Sequence, residues 1–152
     1  MNIEGFMKKK VVSISENATI AEAARLFVEK HVGILPVVDS QGIPLGVIRL
    51  FNLISLELPD FLKLVDDFDF VHDFGAIEST IPEKEVLAQP VTSIMVPIES
   101  VGKDCGLMRV FAIMLKNDFI DLAVTNKAGE LVGIVSRVDI GAGILSSWPK
   151  EQ

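Results

Sequence analysis

The sequence predicts an α+β fold of two β-α-β-β-α repeats, packed sheet to sheet about a pseudo-twofold axis. Three observations carry this. Short β-branched runs alternate with stretches of helical period. Sliding the first half over the second at an offset of 87 residues brings Gly42 onto Gly129 and Gly46 onto Gly133. The same shift lays Leu35 on Leu122, Val37 on Val124, Leu26 on Ile113, Phe27 on Met114, Val47 on Ile134 and Ile48 on Val135. A shared register of apolar positions and turn glycines marks a duplicated supersecondary unit. A unit of about 50 residues is marginal alone, so two are expected to bury their sheet faces against each other as one body.

Each element follows from local chemistry. "VVSI" (11–14) is a short β-branched strand. Thr19 and Glu22 have capping-box spacing, and Ile20, Ala23, Ala24 and Phe27 then fall on one helical face. "GILPVVD" (33–39), the turn at "SQG" and "PLGVIR" (44–49) form a hairpin, and a helix from about Leu50 ends before Pro59. The second unit repeats the order: a strand near 98–101, a helix near 105–117, a hairpin turning at Ala128-Gly129, and a helix from Arg137. This divides the chain into repeat 1 (1–57), a linker (58–90) and repeat 2 (91–152).

The linker differs in character. Asp60, Asp66, Asp67, Asp69 and Asp73 alternate with Phe61, Phe68, Phe70 and Phe74, the pattern of an amphipathic helix that rests its rings on the body. His72 among these acids offers metal-ligand types, but the spacing does not match a twelve-residue calcium loop, and no metal site is expected.

Composition narrows the function classes. No apolar run approaches the ~20 residues that span a bilayer, and no apolar region follows the lysines of "MNIEGFMKKK". The expectation is a cytoplasmic protein without membrane insertion. Cys105 is the only cysteine, which suits a reducing compartment. A net charge of −7 argues against a nucleic-acid partner, which would demand clustered Lys and Arg. Lys8, Lys9 and Lys10 form the one basic run, readable as a solvated edge or as a local phosphate-facing patch. His31 and His72 are the only histidines, and nothing in the chain suggests a catalytic triad or dyad. Cys105 reads as a small, partly buried residue, and Met7, Met95, Met108 and Met114 as core filler. Trp148 suits the cover of an apolar patch on its own body or on a second subunit. No enzyme and no cofactor are expected.

One motif carries chemistry. In "GIVSRVD" (133–139), Ser136 and Asp139 stand where a strand gives way to a helix. That spacing is a capping box, which needs no ligand. It also suits a nucleotide: an ionised carboxylate accepts two charge-assisted hydrogen bonds from a ribose diol. A hydroxyl at a helix N-terminus suits a phosphate, and Arg137 or Lys10 could supply countercharge. Both readings stand from the sequence. The matching positions of "GVIRLFN" (46–52) are Arg49, which has no acceptor, and Asn52, a neutral and weaker one.

The segments "GILPVVDSQGIPLGVIRLFN" and "GIVSRVD" resemble the CBS domain, the cystathionine β-synthase-type repeat, two of which form a Bateman module. The resemblance covers about 7–57 and 91–146. It is weaker in the second repeat, where Ala123 and Asn126 replace the proline and aspartate found at Pro36 and Asp39. It implies that Ser136 and Asp139 hold the ribose-phosphate end of an adenine nucleotide, and that Val12, Val32, Gly33 and Ile34 line the base. The repeat-1 counterpart would bring Asp121 beside an adenine, so that site reads as degenerate. The resemblance further implies a homodimer through helical faces, to which the apolar stretches "IAEAARLFV" and "LMRVFAIML" lend local support.

The expected function is therefore regulatory sensing of an adenosyl ligand (AMP, ADP, ATP or S-adenosylmethionine) at one inter-repeat site, with occupancy passed to an effector protein that the sequence does not name. The alternative is a dimerisation module whose ligand site has decayed.

Overall fold

A computed structural model describes residues 1–57 and 81–151. Repeat 1 runs β1 (Ile14–Ser15), α1 (Ile20–Lys30), β2 (Ile34–Val38), β3 (Pro44–Arg49) and α2 (Leu50–Ile54). A short helix α3 (Lys84–Leu87) precedes β4 (Ser100–Gly102), α4 (Leu107–Asn117), β5 (Asp121–Thr125), β6 (Leu131–Ser136) and α5 (Arg137–Leu145). The β-α-β-β-α order thus occurs twice. The acidic and aromatic stretch from Asp60 to Phe74, with its expected amphipathic helix, lies outside the described residues. Among the described residues no helix is long and apolar enough to cross a membrane, and no cluster of three or more His, Cys, Asp or Glu could hold a metal.

Each repeat forms a three-stranded sheet, ordered β1-β2-β3 and β4-β5-β6, with one parallel and one antiparallel pair. The hairpins agree residue for residue: Ile34 pairs with Arg49 as Asp121 pairs with Ser136, and each bears an irregularity, at Val37/Val38 and Val124/Thr125. Asp39 closes the first turn by accepting from Gln41 N–H (2.8 Å) and Ile43 N–H (3.0 Å). Asn126 does the same with Ala128 and Glu130, both at 3.0 Å. Only the side-chain oxygen is needed, so the exchange of acid for amide leaves the turn intact. Gly42 and Gly129 sit at φ 82° and 84°, a left-handed conformation open to glycine at little cost.

Thr19 and Glu22 form the expected capping box on α1, with Thr19 N–H donating to Glu22 Oε2 at 2.9 Å. The helix buries Ile20, Ala23 and Phe27, while Ala24 is only partly covered. It ends at His31 in left-handed backbone (φ 52°), as α4 ends at Asp118 (φ 56°).

The first strands differ from expectation. Residues 11–13 are not strand, and β1 begins at Ile14. Residues 98 and 99 are not strand, and β4 begins at Ser100. The cause lies in where the preceding backbone goes. Lys8 N–H donates to Ile134 O (2.9 Å), and Ile134 N–H donates to Lys8 O (3.0 Å). Val47 and Val96 exchange the same pair of bonds at 2.8 and 2.9 Å. The segment leading into each repeat is therefore docked on the other repeat. Ile3, fully buried, joins Leu107, Val110, Met114, Leu122, Val124, Val135 and Ile140 in the core of repeat 2, with Phe6 and Met7 packed beside it. Val91, fully buried, joins Ile14, Ala23, Phe27, Leu35, Val37 and Ile48 in repeat 1, with Ile94 and Met95. This reciprocal exchange sits at "IEGFM" and "VTSIM", shifted by 88 residues rather than 87.

The exchange also explains Gly46 and Gly133. A Cβ at Gly133 would stand 2.7 Å from Met7 Sδ and 3.0 Å from Lys8 O. One at Gly46 would stand 2.8 Å from Val96 O. Strand alternation sends Leu35, Val37, Ile48, Leu122, Val124 and Val135 into the two cores. It leaves Ile34, Pro36, Val47 and Arg49 on the opposite face of one sheet, and Asp121, Ala123, Ile134 and Ser136 on that of the other. These are the faces the two repeats turn toward each other.

Candidate functional site

Between the two inward faces lies a cleft of about 260 Å³, lined by Lys8, Lys10, Val11, Val12, His31, Val32, Gly33, Ile34, Pro36, Asp121 and Ile134. Small-molecule sites usually start near 300 Å³, so this one is sized for a single planar group with part of its substituent. One wall is the crossing segment 8–12, which bends at Lys10 and contributes Lys8, Lys10, Val11 and Val12. A second is the end of α1 and the start of β2. Asp121 and Ile134 come from repeat 2.

The opening traces to Pro36. Proline has no N–H to donate, so the parallel ladder between β1 and β2 begins only at Ile14–Val37. Residues 10–13 splay off the sheet. At the matching place in repeat 2, Ala123 N–H donates to Glu99 O at 2.9 Å, and the ladder starts at Ser100–Ala123. The replacement of Pro36 by Ala123 thus lets the repeat-2 ladder begin one position earlier than its counterpart.

Of the residues singled out from the sequence, Val12, Val32, Gly33, Ile34 and Lys10 all line this cleft. Ser136 and Asp139 are not among its lining residues; they stand at the corner between β6 and α5, one strand pair from the lining residue Asp121. Ser136 pairs across the sheet with Asp121, and Ile134 precedes it by two on the same face. There the capping box is fully formed. Ser136 N–H donates to Asp139 Oδ2 (2.9 Å), the Ser136 hydroxyl lies 2.9 Å from the same oxygen, and Asp139 N–H donates to Ser136 Oγ (3.3 Å). Among the described residues Oδ1 of Asp139 has no donor.

Arg137 is not brought to the cleft. Its guanidinium donates to Phe119 O and Asp118 Oδ1, both at 2.7 Å, and it borders a different, apolar groove beneath α4 and α5. A helix turns about 100° per residue, so the neighbour of Ser136 in sequence faces elsewhere.

Two residues of the site carry a weaker signal in the sequence. Lys8 and His31 line the cleft, and neither follows from the motif. The backbone crossing of residues 8–12 places Lys8, and the left-handed end of α1 places His31. In repeat 1, Arg49 Nη1 forms an ion pair with Asp121 Oδ2 at 2.7 Å. Asn52 Oδ1 accepts from Arg49 N–H at 3.2 Å, a helix cap that leaves this corner no free acid. Asp121 is therefore paired where it meets the cleft.

Comparison with known proteins agrees with this architecture. The family model described as "CBS domain" matches residues 3–58 and 91–144. The chain is 30% identical over 142 residues to the uncharacterized protein MJ1232 of Methanocaldococcus jannaschii, covering 93% of this chain but only 39% of that relative's length. Among solved structures it is similar to CBSX2 in complex with AMP, with a TM-score of 0.70, 22% identity, and 95% and 96% of the two chains covered. It is also similar to the CBS domain pair of protein MJ0100 in complex with 5-methylthioadenosine and S-adenosyl-L-methionine, with a TM-score of 0.68, 18% identity, and 97% and 98% covered. With two matched stretches that coincide with the two folded repeats, this chain belongs to the CBS domain family as a tandem pair.

Proposed function

We propose that the chain is a regulatory ligand-sensing module that takes one adenosine-containing ligand in the cleft between its repeats. The observation that carries this is the cleft itself. The apolar walls expected for a base (Val12, Val32, Gly33, Ile34) line one cavity, and its lining residue Asp121 stands one strand pair from the Ser136–Asp139 corner. A base would lie against those side chains, with its ribose turned to Asp139. The corner at Arg49 and Asn52, which offers a cation and an amide oxygen already taken by the helix cap, supports one site rather than two. AMP in CBSX2, and methylthioadenosine and S-adenosylmethionine in MJ0100, support the adenosyl class. In this reading the chain binds and transmits and does no chemistry of its own. Capture and release inside a cytoplasmic metabolite pool would set its state.

Thermal melts with and without AMP test the site. At 100 times its dissociation constant a ligand stabilises its receptor by about 2.7 kcal/mol. Asp139→Ala should lose most of that gain, while Asn52→Ala should keep it. An unchanged AMP shift in Asp139→Ala would sink the ribose assignment.

A homodimer belongs to the same reading. The outer face of α4 and α5 exposes Met108, Phe111, Leu115, Leu145 and Trp148 around a groove of about 530 Å³. Such a patch exceeds what a solitary surface needs and suits a second copy. Light scattering should report the mass of two chains, and Leu115→Asp should return it to one. A wild type that stays at one chain's mass at tens of micromolar would contradict this.

A further inference from the structure

We propose that Arg49 sets the charge selectivity of the inter-repeat cleft by acting through Asp121. It neutralises that carboxylate, so the cleft accepts ligands that carry negative charge beside the ribose. This rests on the reading of the cleft as an adenosyl site.

Arg49 is the repeat-1 counterpart of Ser136, at the same offset of 87 residues. Instead of serving a second site, its side chain reaches across to repeat 2 and bonds Asp121 at 2.7 Å. Asp121 lines the cleft, and its side chain is only 12% exposed. It is also the cross-strand partner of Ser136. Arg137 N–H donates to Ile120 O at 3.1 Å, which makes the neighbouring 121–136 pair the non-bonded, closer kind, with Cβ atoms about 5 Å apart. A phosphate reaching the first turn of α5 would meet two carboxylates: Asp139, which spends Oδ2 on the capping box and would spend Oδ1 on the ribose, and Asp121, across the strand pair from Ser136. Unpaired, Asp121 would repel it in a partly water-excluded space.

The remaining charges do not replace Arg49. Lys8, Lys10 and His31 line the wall supplied by repeat 1, and Arg137 is held at Asp118. Arg49 alone among these bonds a carboxylate of the cleft. With its side chain 31% exposed, the pair contributes modestly to holding the sheets together. Its position matters more through the charge it removes.

The test is a set of calorimetric titrations of wild type, Arg49→Gln and the double variant Arg49→Gln/Asp121→Asn. The probes are adenosine, AMP, ATP and S-adenosylmethionine. Arg49→Gln should weaken ATP about tenfold or more and AMP several-fold, and leave adenosine within about twofold. S-adenosylmethionine, a sulfonium cation at this end, should not weaken. The loss for ATP should shrink in ~0.5 M salt. The double variant should restore AMP and ATP, a rescue that a purely structural role for Arg49 would not give. Equal loss for all four probes, or none, overturns the proposal and leaves the site standing. A wild type that binds S-adenosylmethionine but neither AMP nor ATP does the same. A wild type silent to all four overturns the site reading, and the proposal with it, before any substitution is made.

Discussion

Asp139 has two carboxylate oxygens, and in this structure one of them closes the capping box while the other points to no donor among the described residues. The cap and the proposed ribose contact therefore need not compete, since Oδ1 can accept from a diol while Oδ2 holds the helix start. That predicts a double signature for Asp139→Ala. Without ligand it should lose about 1 kcal/mol of stability, measured by urea unfolding, because the cap goes. Its response to AMP should vanish independently. A variant as stable as wild type would mean that the box contributes nothing to this helix start. At this scale the sequence was legible wherever a side chain acts on its own neighbourhood: Thr19 with Glu22, Ser136 with Asp139, the glycines of the two turns. It misled at Arg137, which adjoins Ser136 along the chain yet faces another surface. It was silent on the bond between Arg49 and Asp121, whose partners are 72 residues apart.

Among elements, helices and hairpins follow from period and turn chemistry, and their observed bounds lie close to the expected ones. The first strands do not. Nothing local in "KKKVVSI" tells that Lys8 pairs with Ile134 while Ile14 pairs with Val37. Apolar residues before a strand look alike whether they serve their own repeat or its partner. One clue was present: "IEGFM" and "VTSIM" align in apolar character, and Met7 falls on Met95 if the offset is allowed to slip by one. The exchange makes a directional prediction. Ile3 is fully buried among repeat-2 residues, so Ile3→Ala should cost about 3 kcal/mol. Native-state hydrogen exchange should show the lost protection first at Leu122, Val124 and Val135 rather than at Leu35 and Val37. Equal loss in both sheets, or a cost under about 1 kcal/mol, would contradict the assignment of residues 1–8 to the other repeat's core.

For the whole molecule, the duplication predicts near-equivalence of two clefts, and the structure breaks it through a few positions. Pro36 holds one ladder back by a position where Ala123 lets the other begin. Ser136 and Asp139 offer oxygens where Arg49 and Asn52 offer a cation and an amide already engaged as a cap. These differences were visible as letters. Their combined effect was not, because it depends on sheets from opposite halves facing each other across the axis. The central claim is one adenosyl site per chain, at the Asp139 corner, and calorimetric stoichiometry tests it most directly. Titration of the wild-type chain with AMP should saturate at one ligand per chain, with the heat lost in Asp139→Ala and retained in Asn52→Ala. Two equivalents per chain, or a single equivalent that survives Asp139→Ala and disappears in Asn52→Ala, would contradict it.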